Sequence, residues 1–185
     1  MYFQVLDHVI SDRYSQYLFE NLHLVPWTFV PNISVGQGGT DSPGFSFNFY
    51  LHKKLNHKEP IELKSAEYNL IVPMYLECFS KFGINVDIKN IVRSRSRLTI
   101  HKETSSIDTP HIDYKFNHLV LLYYINTIDG DTVFFDKDEK IVERITPRRG
   151  RAVLFDGSIL HASSNPTLGP RIVINTNIIN NIENF

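Results

Sequence analysis

The chain has 185 residues, 42% of them apolar and 21% charged, with 19 basic side chains against 20 acidic ones. That length and apolar fraction point to one globular domain with a real core, not to a disordered tail. A formal net charge of −1 gives no overall attraction to nucleic acid or anionic lipid, and a single cysteine, Cys78, excludes an intrachain disulfide framework and a cysteine-rich zinc site.

The segment Met1–Asp7 has no basic region and no long apolar run, so no secretory signal is expected. No stretch approaches the ~18–20 apolar residues of a membrane span. The expectation is a cytoplasmic protein. Ser11 is placed to cap a helix reaching about Leu22, with Tyr14, Tyr17, Leu18 and Leu22 recurring on one face. The glycine-rich run Ser34–Gly44 matches neither a dinucleotide-binding nor a P-loop order, and it reads as loop, with Gly36–Gly44 a candidate lid. A second helix is expected from about Ile61 to Phe82. Leu63, Ala66 and Leu70 would share its face, Pro73 would kink or divide it, and Gly83 would end it.

From Ile91 the pattern changes to short β-rich runs bounded by turn residues. They are Val92–His101, His118–Asn126, Thr132–Asp136, Lys140–Ile145, Ala152–Phe155, Ile159–Ala162 and Arg171–Ile178. Asp136–Glu139 reads as a hairpin turn and lacks the glycine and closing glutamate of a calcium loop. Many closely spaced strands argue for a sandwich or barrel, with the earlier helices covering one sheet. The expected division is one domain, 1–185, in which residues 1–90 form helical and loop support and 91–178 a β core.

Three residues carry the candidate chemistry. On a strand, residues i and i+2 face the same way, so His111 and Asp113 can grip one ion together. His161 lies on a later strand that can return beside them. Two imidazoles and one carboxylate on one side of an ion leave its other side open, the ligand set of non-haem Fe(II) oxygenases. The run from Arg171 alternates as well. Ile172, Ile174 and Ile178 form an apolar face, while Arg171, Val173, Asn175 and Asn177 share the other. A guanidinium lining a cavity there can hold a carboxylate through a bidentate fork. Arg93, Arg95, Arg97, Thr99 and His101 form another row, read first as a solvated charged face. If its His101 end turns inward, His101 or Arg97 can reach a cosubstrate or substrate. The other histidines read as structural or surface residues.

Taken in order, Pro110-His111-Ile112-Asp113-Tyr114, Tyr124-Ile125-Asn126, Gly130 to Phe135, Gly150 to Phe155, His161-Ala162 and Gly169-Pro170-Arg171 resemble the Fe(II)/2-oxoglutarate dioxygenase superfamily. The similarity spans about Val92 to Ile178, and the prolyl-4-hydroxylase-like branch is the nearest. The resemblance implies a double-stranded β-helix, the jelly-roll or cupin-like core, behind N-terminal helices. It implies Fe(II) on His111, Asp113 and His161, and O2 as co-reactant. The far carboxylate of 2-oxoglutarate would rest on Arg171 and Tyr124, with His101 standing where relatives place a tyrosine near the cosubstrate. The implied reaction hydroxylates an unactivated C–H bond, with release of succinate and CO2. The substrate would be a peptide such as peptidyl proline, an amino acid or another small molecule. Asp113 argues against the halogenating relatives, and Asn175-Thr176-Asn177 against the nucleic-acid demethylases. A cupin-like metal-binding protein or isomerase without oxygenase activity is the alternative, because fold does not fix function; a non-enzymatic interaction module is a third option.

Overall fold

Strand β6 (His118–Tyr124) has no solvent face, since all seven of its residues are buried. Such a strand must be covered on both sides. Leu119, Leu121 and Tyr123 enter one apolar cluster, and Val120, Leu122 and Tyr124 another, so alternate side chains serve two cores. The computed structural model describes residues 3–33, 42–52 and 62–179. Ahead of β6 come β1 (Phe3–Leu6), α1 (Asp12–Leu22), β2 (Thr28–Val30), β3 (Gly44–His52), β4 (Glu62–Lys64), α2 (Tyr68–Phe82) and β5 (Ile91–Thr99). After it come β7 (Thr132–Phe135), β8 (Ile141–Ile145), β9 (Ala152–Asp156), β10 (His161–Ser163) and β11 (Arg171–Ile179).

The large sheet has the order β1-β9-β6-β11-β5-β3-β2, with β4 added to β3, and the small sheet has the order β10-β7-β8. Neighbouring strands are antiparallel throughout. The second cluster lies between the sheets, where Phe134 and Ile145 of the small sheet meet Val120, Val153, Phe155 and Val173 of the large one. The first cluster lies on the other side of the large sheet, where Leu18 and Leu22 of α1 and Ile71, Met74 and Tyr75 of α2 pack on Phe49, Leu121 and Ile174. Each such buried side chain contributes about 1.5–3 kcal/mol. This is the jelly-roll core, with helices on its outer face.

The strands expected from Ile91 onward are all present, with ends shifted by no more than two residues. Ser11 caps α1, its Oγ accepting from Tyr14 N at 3.2 Å, and Gly83 ends α2 at φ 66°. Three earlier expectations are corrected. The second helix begins at Tyr68, not near Ile61, because Glu62–Lys64 pairs along β3 as β4. Leu63 therefore lies on a strand and is half exposed. Pro73 stands inside one continuous 15-residue helix and does not divide it. Strands also occur before residue 91, in β1, β2 and β3, where helix and loop were expected. The clearest is β3, in which Phe45, Phe47, Phe49 and Leu51 recur at every second position. Of the Gly36–Gly44 candidate lid, residues 36–41 lie outside the described residues.

Candidate metal centre and active site

His111 and His161 are direct cross-strand partners. Each donates its backbone N–H to the other's carbonyl at 3.0 Å, and the ring centroids are 4.8 Å apart. Their side chains are oriented by the same device. His111 Nδ1 lies 3.0 Å from the carbonyl of Thr109, and His161 Nδ1 lies 3.0 Å from that of Ile159. A carbonyl only accepts, so each Nδ1 carries the proton and each Nε2 keeps a free lone pair. Burial pulls the His161 pKa down to about 4, against the opposing pull of Asp113, so this imidazole is neutral at neutral pH.

Asp113 completes the group, with ligand atoms of all three residues within 4.8 Å of one another. Its side chain is only 2% exposed, and it faces Arg93 Nη2 at 2.7 Å and Arg95 Nη2 at 3.6 Å through Oδ1. The Arg93 contact is close but poorly aligned for a hydrogen bond, so its attraction is ionic. Oδ2 accepts from Asn177 Nδ2 at 2.8 Å and from Asn175 Nδ2 at 3.2 Å. Burial by itself would raise the Asp113 pKa, but Arg93, His161, Arg95 and Asn177 outweigh it and hold the carboxyl well below its ordinary value. The group is a carboxylate whose remaining lone pairs can serve an ion.

The histidines open into a cavity of about 490 Å³, its outer part open to solvent, which Arg171 also lines. Arg171 is 4% exposed, has no ion-pair partner among the described residues, and leaves its Nε buried and unbonded. Its Nη2 donates to Thr132 Oγ1 at 2.8 Å, and its guanidinium sits 5.6 Å from the Tyr124 ring centroid. Tyr124 also donates to Thr132 Oγ1, at 2.7 Å. Burial raises the Tyr124 pKa, which keeps the phenol protonated as that donor, although Arg171 pulls the other way. With both acceptor positions of Thr132 filled, its own O–H is left to donate into the cavity.

The β5 arginines correct the sequence reading. Cross-strand partners point to the same side, and Asn177, Asn175, Val173 and Arg171 stand opposite Arg93, Arg95, Arg97 and Thr99. The row therefore faces inward, where Arg95, Arg97 and Thr99 line the cavity. His101 does not join it. It lies beyond the end of β5, is exposed, and is not among the residues lining the cavity. Arg93, Arg95, Asn175, Asn177 and Thr132 had no assigned contact in the sequence reading. Strand alternation was the available signal for the first four, since it groups them on two polar faces.

Residues 92–179 match the model of the 2OG-Fe(II) oxygenase superfamily. Over that stretch, which carries His111, Asp113, His161 and Arg171, the chain is a 2OG-Fe(II) oxygenase. No curated protein matches it in sequence. Among solved structures, a 2OG-Fe(II) oxygenase family oxidoreductase from Burkholderia pseudomallei superposes with a TM-score of 0.72 at 11% identity, covering 95% of this chain and 84% of that one. The viral collagen prolyl hydroxylase of Paramecium Bursaria Chlorella virus-1 gives 0.59 at 14% identity, with 97% of each chain covered. The prolyl hydroxylase of Trichoplax adhaerens, solved with a peptide fragment of hypoxia inducible factor, gives 0.63 at 13% identity, covering 96% and 83%. At such identities the likeness is one of fold.

The oxygenase is a 2-oxoglutarate/Fe(II)-dependent dioxygenase that uses Fe(II), 2-oxoglutarate and O2. Its own residues fit that set. Two imidazole lone pairs and a carboxylate suit Fe(II), and a buried guanidinium without a counter-ion suits a carboxylate ligand. Among the described residues, no helix is long and apolar enough to cross a membrane.

Proposed function

We propose that the oxygenase hydroxylates an unactivated C–H bond of an amino acid or an amino-acid residue in a peptide, with release of succinate and CO2. His111, Asp113 and His161 would hold Fe(II), and Arg171 would hold the far carboxylate of 2-oxoglutarate with Thr132 and with Tyr124, whose one O–H would turn to it from Thr132. The observation that carries this reading is the meeting of three ligand atoms within 4.8 Å beside a cavity that Arg171 lines. The iron and its cosubstrate, when bound, supply the oxidation itself.

The protein's part is orientation and exclusion of water. The Thr109 and Ile159 carbonyls fix the two imidazole tautomers, and Arg93, Asn175 and Asn177 fix the Asp113 carboxylate. Leu122, Ala162 and Val173 give the cavity apolar walls beside these groups. Peptidyl proline belongs in the substrate panel because prolyl hydroxylases are among the fold neighbours. The whole chain, 1–185, is taken as one dioxygenase domain in which residues 1–90 support 91–178. A cytoplasmic location is part of the proposal. A metal-binding protein or isomerase without oxygenase activity is the reading to be tested against, and it is not favoured.

The test measures succinate formed from 2-oxoglutarate with Fe(II) and O2, across peptides and amino acids, with mass detection of one added oxygen. His111→Ala and Asp113→Ala should abolish turnover, and full activity in either would overturn the ligand assignment. Arg171→Ala should raise the 2-oxoglutarate KM by about tenfold or more, the loss expected of a charged hydrogen-bond pair. An unchanged KM would reject that role.

A further inference from the structure

Four guanidiniums, those of Arg93, Arg95, Arg97 and Arg171, lie on adjacent strands of one sheet face, and Asp113 is the one described carboxylate in ion-pair reach of them. The charges of the filled site do not use them all. The double charge of Fe(II) and the single charge of Arg171 balance Asp113 and the 2-oxoglutarate dianion. Arg93, Arg95 and Arg97 remain in excess. Arg93 has a structural task, since it touches Asp113 at 2.7 Å, donates from Nε to Asn177 Oδ1 at 2.9 Å, and lies 4.7 Å from the Tyr114 ring centroid. Arg95 and Arg97 have less to do. Arg95 reaches Asp113 at 3.6 Å and leaves its Nε buried without a partner. Arg97 is half-buried, lines the cavity, and has no hydrogen bond or ion pair among the described residues. Its cross-strand partners are Val173 and Ser46, neither of which carries charge.

A row of partly desolvated like charges repels itself. Burial and the neighbouring arginines lower the pKa values of both Arg95 and Arg97, the latter to about 10. Such an arrangement is costly unless an anion answers it. The cosubstrate would not be that anion, because in the proposed function Arg171 would hold one of its carboxylates and the metal would take the other.

We infer that Arg95 and Arg97 form a second oxyanion subsite in this cavity, and that the substrate carries a carboxylate or phosphate group which they hold. This rests on the oxygenase reading for the word substrate, but the subsite itself is testable without turnover. Arg97 supplies the free fork, and Arg95 adds charge from the neighbouring position on the same strand face. The group they hold fixes which C–H bond lies nearest the histidines. A neutral side chain with no acid nearby would leave the row uncompensated and would bind poorly.

The experiment loads the protein with Fe(II) and 2-oxoglutarate without O2, then titrates acetate and inorganic phosphate separately by calorimetry. The two probes separate carboxylate from phosphate preference. At least one should bind, and Arg97→Gln should weaken that probe by about tenfold or more, the loss expected for a charged hydrogen bond. The same variant should weaken 2-oxoglutarate less than the probe, and Arg171→Gln should reverse that order. Binding of neither anion overturns the proposal, as does an equal loss of probe and 2-oxoglutarate in Arg97→Gln. If the glutamine variant does not fold, Arg97→Lys keeps the charge but not the planar fork and must lose part of the probe affinity; no loss overturns the proposal. Succinate formation is measured independently. Its absence with anion binding intact removes the oxygenase reading and leaves the subsite. Where turnover occurs, an acid or phosphate ester should exceed its neutral amide or alcohol by about tenfold in kcat/KM, and equal rates overturn the proposal.

Discussion

Arg93 is the residue whose removal tests whether the metal site stores electrostatic tension. Its side chain is 11% exposed and that of its partner Asp113 only 2%, so the pair belongs with buried ion pairs. A surface pair would contribute about 0–1 kcal/mol, whereas breaking a buried one costs about 3–5 kcal/mol by leaving a charge unpaired. Arg93→Met keeps an unbranched stem and deletes the charge, together with its contact to the Tyr114 ring. Arg95, 3.6 Å from the same oxygen, and the two asparagine amides remain, which argues for the lower end, about 3 kcal/mol. At roughly 2–4 °C per kcal/mol for a chain of this size, the metal-free protein should melt about 6–12 °C lower. The double variant Arg93→Met with Asp113→Asn should recover only part of that loss, because it removes the stranded anion but also takes from Arg95 its one described counter-ion. Calorimetric melts of the four metal-free proteins close the cycle. A single variant melting within about 2 °C of the parent, or a double variant less stable than the single, would refute the reasoning.

Thr132→Val removes the hydroxyl that accepts from both Tyr124 and Arg171, and should raise the 2-oxoglutarate KM by about tenfold, with Thr132→Ser recovering most of it. Identical KM values for the valine variant and the parent would remove Thr132 from the site. Asp7 is held by Arg151 at 2.6 and 2.9 Å, and these bonds lower its carboxyl below the ordinary value of 3.8. A depressed folded-state pKa stabilises above the unfolded value, and that contribution disappears as pH falls through the folded one. The stability gap between parent and Asp7→Asn should thus be constant near neutrality and close below about pH 4, as chemical denaturation across pH would record; a gap constant down to pH 2 would contradict it.

The β core was legible because its strands are short, bounded by turns, and alternate. β11 reads correctly from its sequence, since Ile172, Ile174 and Ile178 enter the outer core while Arg171, Val173 and Asn175 line the cavity. The row on β5 was misread for a physical reason. Alternation says that Arg93, Arg95 and Arg97 share a face, but not whether that face meets water or a second sheet. The register with β11 decides it, and register is a long-range property. Glu62–Lys64 failed in the same way, because a free position beside β3 overrode a helical spacing. Thr132 left no signal of its own, for a threonine on a buried strand is ordinary β sequence until two donors converge on it.

The site is assembled from pieces that no single element holds. Arg171, Asn175 and Asn177 come from the large sheet, Thr132 and His161 from the small one, and His111 and Asp113 from the crossing segment between β5 and β6. The tie between crossing segment and small sheet is the reciprocal pair of backbone bonds between His111 and His161. Asp108 reinforces it a turn earlier, with its carboxylate accepting from Ser42 and Ser163 at 2.8 Å. The two sheets are fixed against each other by an apolar cluster, in which Phe134 meets Phe155 edge-on at 5.0 Å. Polar residues buried between sheets violate the rule that a core should be apolar, and each must be answered by a partner. Asp113 and Tyr124 have theirs within the chain. Arg171 and Arg97 do not have counter-ions among the described residues, so the uncompensated charge lining this cavity sits at the two points where anionic ligands are expected to enter.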